Sequence, residues 1–181
     1  MVYILLGDGF EEAEALVPAD LLRRAGAKVS LVGVTGKNVT GGHGITVVSD
    51  ISGEEADADS MEMLVIPGGL GGVENVGKCP AAMALVEKAA EKKGCILAAI
   101  CAAPSILGGL GLLQGKKAVC YPGMEDTMTG AIPQKGCSAV VDGEIITGEG
   151  PGAAFAFGFK LVEALKGAGI AKQVAHDACW R

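Results

Sequence analysis

Short, wholly apolar runs alternate along this chain with longer segments of helical periodicity, and that alternation constrains the fold more than any other feature. Residues 2–6, Val-Tyr-Ile-Leu-Leu, contain no polar alternation. Such a run belongs in a strand covered on both faces, as in a parallel sheet. Residues 12–25 follow with Ala13, Leu16, Val17, Leu21 and Leu22 on one helical face and Gly26 just past the end. The same reading predicts strands over 29–34, 45–48, 63–66, 96–100, 118–121, 139–141 and 145–147. It predicts helices over 81–93, 104–113, 153–165 and 171–179. Gly94 stops the first of these, with Lys92 and Lys93 set against its dipole, and Pro104 starts the second. Asp142-Gly143 between two strands is a hairpin signal. Alternation of this kind, with glycine at strand ends, predicts an α/β fold: a doubly wound, mainly parallel sheet sandwiched by helices, in a single domain over residues 1–181.

Composition narrows the function classes. Hydrophobic residues are 50% and charged residues 20% of 181, which excludes a disordered chain. Glycine is 29 of 181, about twice the usual ~7%, and aromatics only 4%, which suggests close backbone turns around an Ala/Val/Leu/Ile core. The net charge of −6, with one Trp, two Tyr and four Phe, supplies neither the basic patch nor the stacking platform of a nucleic-acid binder. The first residues lack the basic flank of a signal peptide. The most apolar stretch, 96–113, is interrupted by Pro104, Gly108, Gly109 and Gly111, so no membrane span is expected. The reading is a cytoplasmic protein. Its six cysteines, Cys79, Cys95, Cys101, Cys120, Cys137 and Cys179, form no CxxC pair and no zinc-type spacing. No metal and no cofactor are expected, and the cysteines are read as free thiols.

In a doubly wound sheet, sites form at the carboxyl ends of strands, and four segments fall there. In Ala98-Ala-Ile-Cys-Ala-Ala-Pro104 an apolar strand runs into Cys101 and a proline-led helix, with small residues at positions 99 and 103. Those are the steric requirements of a nucleophile elbow. The elbow would set the sulfur at a helix amino terminus that favours thiolate, and aim the Ala102 N–H at an oxyanion. The residues alone leave a second reading open, in which Cys101 merely fills a tight strand end. Gly7-Asp-Gly-Phe-Glu-Glu-Ala-Glu14 crowds three carboxylates into a first helical turn. Capping and dipole matching account for Glu11 and Glu12. Glu14 differs in phase, and could lean toward Cys101 with a raised pKa, ready to donate a proton. Pro67-Gly-Gly-Leu-Gly-Gly72 permits close backbone approach, as a donor loop or as a flexible turn. It lacks a P-loop ending, and no Rossmann fingerprint follows the first strand. The fourth segment is Gly148-Glu-Gly-Pro-Gly152. Neither His43 nor His176 carries a motif that would pair it with a cysteine.

Taken together, the glutamate turn, Ile66-Pro-Gly-Gly69, Ala98–Pro104, Val17-Pro18-Ala-Asp20, Arg23-Arg24-Ala-Gly26 and Gly148–Gly152 make the chain resemble the DJ-1/PfpI (ThiJ) family, and within it the DJ-1-like branch, over nearly its whole length. The resemblance implies a flavodoxin-like sandwich and a homodimer, with Cys101 as nucleophile and Glu14 as its hydrogen-bonding acid. It implies backbone donors at Gly68, Gly69 and Ala102. Family members are described as glutathione-independent glyoxalases acting on small 2-oxoaldehydes, as deglycases, as redox-responsive protectors and as chaperones. A small carbonyl substrate is therefore expected. The alternative is a protective sensor whose cysteine oxidises to sulfinic acid without metabolic turnover. The protease-like branch has histidine directly after the cysteine, where this chain has Ala102, which argues against peptidase activity. Tyr121 stands where a histidine is common, and His43 and Glu149 where arginines are common. All three are expected to line the pocket and to make it less cationic.

Overall fold

The computed structural model describes residues 1–180. In chain order the elements are β1 (Val2–Leu6), α1 (Glu12–Arg24), β2 (Val29–Gly33), β3 (Asn38–Thr40), β4 (Thr46–Val48), β5 (Ile51–Ser52), β6 (Met63–Ile66), α2 (Leu70–Lys78), α3 (Pro80–Glu91), β7 (Ile96–Ile100), α4 (Pro104–Gly109), β8 (Lys117–Ala118), β9 (Ile132–Pro133), β10 (Ala139–Asp142), β11 (Ile145–Gly148), α5 (Ala154–Lys166) and α6 (Ala168–Asp177). Seven strands form one sheet in the order β10-β11-β7-β6-β1-β2-β5. Every pairing in it is parallel except the β10–β11 hairpin, which turns at Gly143 with φ 66°. The mainly parallel sheet between helices is the architecture expected from the alternation.

The strands are apolar throughout because both faces are covered. In β1, Val2, Ile4 and Leu6 enter one core layer and Tyr3 and Leu5 the other. In β7 the split is Ile96, Ala98 and Ile100 against Leu97 and Ala99. The first layer is closed by α1 and α5 through Leu21, Leu22, Phe157 and Leu161, and it also holds Cys101. The second is closed by α2, α3 and α4 through Val76, Leu85, Val86 and Leu107, and it holds Cys95 and Cys120. Chain from β1 thus crosses to one face and chain from β6 to the other. The crevice between their carboxyl ends is the topological switch point, where ligand sites of such sheets lie.

Three expectations need correction. The Pro67–Gly72 segment is not all loop, since α2 begins at Leu70 despite Gly71 and Gly72. A Cβ on Gly72 would lie 2.6 Å from the Phe10 Cα, so glycine is there for contact with the neighbouring loop, at the expense of helix propensity. The helix predicted over 104–113 stops at Gly109, in a stretch where Gly108, Gly109 and Gly111 weaken helix formation and Gly111 adopts φ 71°. The strand predicted over 118–121 shrinks to Lys117–Ala118, paired with β9 outside the main sheet. The extended piece expected over 45–48 is present as β4, in a surface hairpin with β3 outside the main sheet.

Candidate active site

Cys101 occupies the turn between β7 and α4 with φ 65°. A left-handed backbone costs an L-residue about 1–2 kcal/mol, so it persists only where neighbours impose it. Here both backbone groups are held: the Cys101 N–H donates to the Gly148 carbonyl at 3.0 Å, and its carbonyl accepts from the Tyr121 N–H at 2.9 Å. Ala99 and Ala103 are fully buried, leaving no room for larger side chains. The elbow geometry read from the sequence is therefore present.

Glu14 reaches this sulfur from the first turn of α1. It is fully buried. Its Oε2 accepts from the Gly68 N–H at 2.8 Å, while Oε1 is buried with no hydrogen-bond partner. Gly68 lies between the two functional groups: a Cβ there would sit 2.6 Å from Glu14 Oε2, 2.5 Å from Cys101 Cβ and 3.0 Å from Cys101 Sγ. The absence of a side chain at position 68 is what lets acid and thiol meet. Because Glu14 takes the Gly68 N–H, that group is not free for an oxyanion, contrary to expectation. The N–H groups of Gly69, at φ 82°, and of Ala102 point at the sulfur.

Burial is the main cause raising the Glu14 carboxyl to about 7, with Glu11's charge adding to it; the Gly68 N–H and the Cys101 thiol pull the other way. Burial, then the charge on Glu14, pushes the Cys101 thiol up to about 12, against the N–H groups of Gly69 and Ala102. α4 has six residues, and the N–H groups of Gly69 and Ala102 are what favour the thiolate here, against burial and the Glu14 charge. When Glu14 is protonated its charge no longer opposes the thiolate, and the two N–H groups face only the burial penalty. Thiol and carboxyl behave as one proton-sharing unit.

The three further pocket residues separate. Tyr121 and Glu149 lie together in an open groove of about 330 Å³ with Pro122, Ser138, Gly150 and Pro151. His43 is absent from that groove. Its Nδ1 lies 2.9 Å from Glu12 Oε2 and 3.6 Å from Glu11 Oε2. The hydrogen bond to Glu12, then the charges of Glu11 and Glu12, raise its pKa. Glu12 is not a cap, as no side chain caps α1. It is buried, and its Oε1 accepts from the N–H groups of His43 at 2.8 Å and Ile45 at 3.3 Å. Sequence reasoning missed this clasp because Glu12 and His43 lie 31 positions apart; two adjacent glutamates at a helix start carry no signal of it. Glu11, Glu12 and His43 bring ligand-type atoms within 4.8 Å of one another, a cluster that cysteine spacing gave no reason to expect. No helix among the described residues is long and apolar enough to cross a membrane.

The DJ-1/PfpI family model matches residues 1–164, a span that contains the elbow, the glutamate turn and the glycine loop. Protein dj-1beta of Drosophila melanogaster is 36% identical over 174 residues, covering 95% of this chain and 92% of that one. A glutathione-independent glyoxalase of Caenorhabditis elegans is 32% identical over 158 residues, 87% of this chain and 83% of that one. The structure of oxidized Toxoplasma gondii DJ-1 superposes with a TM-score of 0.93 at 33% identity, over 99% of this chain and 97% of that one. A strained cysteine turn facing a buried glutamate at the switch point, in a chain matched over this length, makes it a member of the DJ-1/PfpI family.

Proposed function

We propose that the protein converts small 2-oxoaldehydes to 2-hydroxy acids without a cofactor, with Cys101 as nucleophile and Glu14 as proton carrier, and that it acts as a homodimer in protection against reactive carbonyls. The observation that carries the proposal is the pairing of a thiol with a buried carboxyl whose Oε1 has no protein partner and whose pKa lies near 7.

Glu14 carboxylate takes the thiol proton as sulfur bonds to the aldehyde carbon. The resulting oxyanion is held by the N–H groups of Gly69 and Ala102 and then protonated by Glu14 to a hemithioacetal. Glu14 next removes the hydrogen from that carbon as a proton, giving an enediolate, and returns it to the adjacent carbon while the hydroxyl proton of the first carbon passes to the neighbouring oxygen, giving a 2-hydroxy thioester. Water cleaves the thioester, releasing the 2-hydroxy acid and the Cys101 thiol. Redox state and atoms balance, since the sum is an internal oxidation–reduction plus one water. An acid that must both accept and donate works best near the operating pH, where Glu14 titrates.

The experiment is lactate formation from methylglyoxal, without added thiol, by wild type and Cys101→Ser. Multiple turnovers lost in the variant are expected; no lactate from wild type, or undiminished lactate from the variant, overturns the proposal. A second reading draws on the same proton: protonated Glu14 is placed to donate to an oxygen of a Cys101 sulfinate formed by peroxide.

A further inference from the structure

The two segments that hold Cys101 through its backbone, the end of β11 and the loop at Tyr121, also contribute to one groove. Gly148, whose carbonyl accepts from the Cys101 N–H, precedes Glu149; Tyr121, whose N–H donates to the Cys101 carbonyl, supplies the opposite wall. The Tyr121 ring is 48% exposed and packs over Gly150, where a Cβ would lie 3.3 Å from its Cδ2. Glu149 makes no ion pair among the described residues. Among the described residues it is also the only charged one lining the groove, whose other walls are Tyr121, Pro122, Ser138, Pro151 and small residues. At about 330 Å³ the groove is of small-molecule size. A carboxylate without a counter-ion beside an open aromatic face is a cation-recognising combination, one partner through charge and the other through its ring quadrupole.

Resting on the proposed carbonyl chemistry at Cys101, we infer that the groove of Glu149 and Tyr121 is a specificity subsite for the remote end of the substrate, and that it selects carbonyl compounds bearing an ammonium or guanidinium group over those bearing a carboxylate. The reacting carbonyl sits at the sulfur and the tail lies between Tyr121 and Glu149. The same charge disfavours retention of a carboxylate product.

Two measurements test this. The first compares kcat/KM for phenylglyoxals carrying a para trimethylammonio, hydrogen or carboxylate substituent, in wild type and Glu149→Gln. Partly exposed ion pairs are worth a factor of a few each, so a cation-to-anion ratio of about ten is expected in wild type, falling severalfold in Glu149→Gln. The second needs no turnover. It measures the rate at which Cys101 is labelled by trimethylammonioethyl and by sulfonatoethyl methanethiosulfonate, read by mass spectrometry and normalised to a free thiol in solution. The cationic reagent is expected to lead, with the lead shrinking in Glu149→Gln and reversing in Glu149→Arg. Equal ratios, or ratios that Glu149→Gln leaves unchanged, overturn the inference. If no phenylglyoxal is turned over, the proposed function fails while the labelling ratio still decides the subsite.

Discussion

Moving Glu14 from water into the fold raises its pKa from 4.5 to about 7, and the sign of that shift sets a pH dependence. A carboxyl whose folded pKa is raised contributes stability that is full below its unfolded pKa and is lost as pH rises through the folded value. Relative to Glu14→Gln, wild type should therefore lose about 3 kcal/mol between pH 4 and pH 8, measured by urea unfolding of both proteins across that range. A constant difference would mean that Glu14 ionises as it does in water. Gly68 makes the second prediction at this scale. Its φ lies outside the left-handed region, so Gly68→Ala brings a purely steric penalty, a methyl 2.5 Å from Cys101 Cβ and 2.6 Å from Glu14 Oε2. Overpacking of that kind costs about 1–3 kcal/mol, and thermal unfolding should show it; an unshifted Tm would mean that acid and thiol separate easily. The Cys101 elbow was legible because small flanking residues and a following proline are sequence features. The unpartnered Glu14 oxygen was not, because partnership depends on a loop 54 positions away.

At the scale of elements, the first turn of α1 grips the tip of the β3–β4 hairpin. Glu12 accepts from two hairpin N–H groups and meets the His43 ring; the Gly42 N–H donates to the Phe10 carbonyl at 2.8 Å, and the Thr40 N–H to Asp8 Oδ1 at 2.8 Å. Glu12→Ala strips the acceptor from two part-buried amides whose groups water can reach, a loss of about 0.5–1.5 kcal/mol per hydrogen bond. Hydrogen exchange of the His43 and Ile45 amides should accelerate in this variant while β1 and β6 stay protected; unchanged exchange would mean the hairpin stands without the clasp. Periodicity found the buried strands well because two-sided burial writes itself as unbroken apolar runs. It failed where glycine serves contact instead of conformation, as at Gly72 in α2.

Across the whole molecule, the fold class followed from alternation, and the location of the site followed from the switch point. The groove of Tyr121 and Glu149 was legible only as two separate residues, since the end of β11 and a loop 28 positions earlier must come together to make it. All six cysteines are free, which allows the redox reading a clean test: mild peroxide should add two oxygens selectively to Cys101, and Glu14→Gln should lessen that selectivity. Oxidation spread over the six would count against it. The central sheet adds a constraint of its own. Cys101 packs into one layer, while Cys95 and Cys120 pack into the other. Cys120 nevertheless immediately precedes Tyr121, whose N–H donates to the Cys101 carbonyl at 2.9 Å, so its backbone lies beside the Cys101 turn while its side chain turns to the opposite layer.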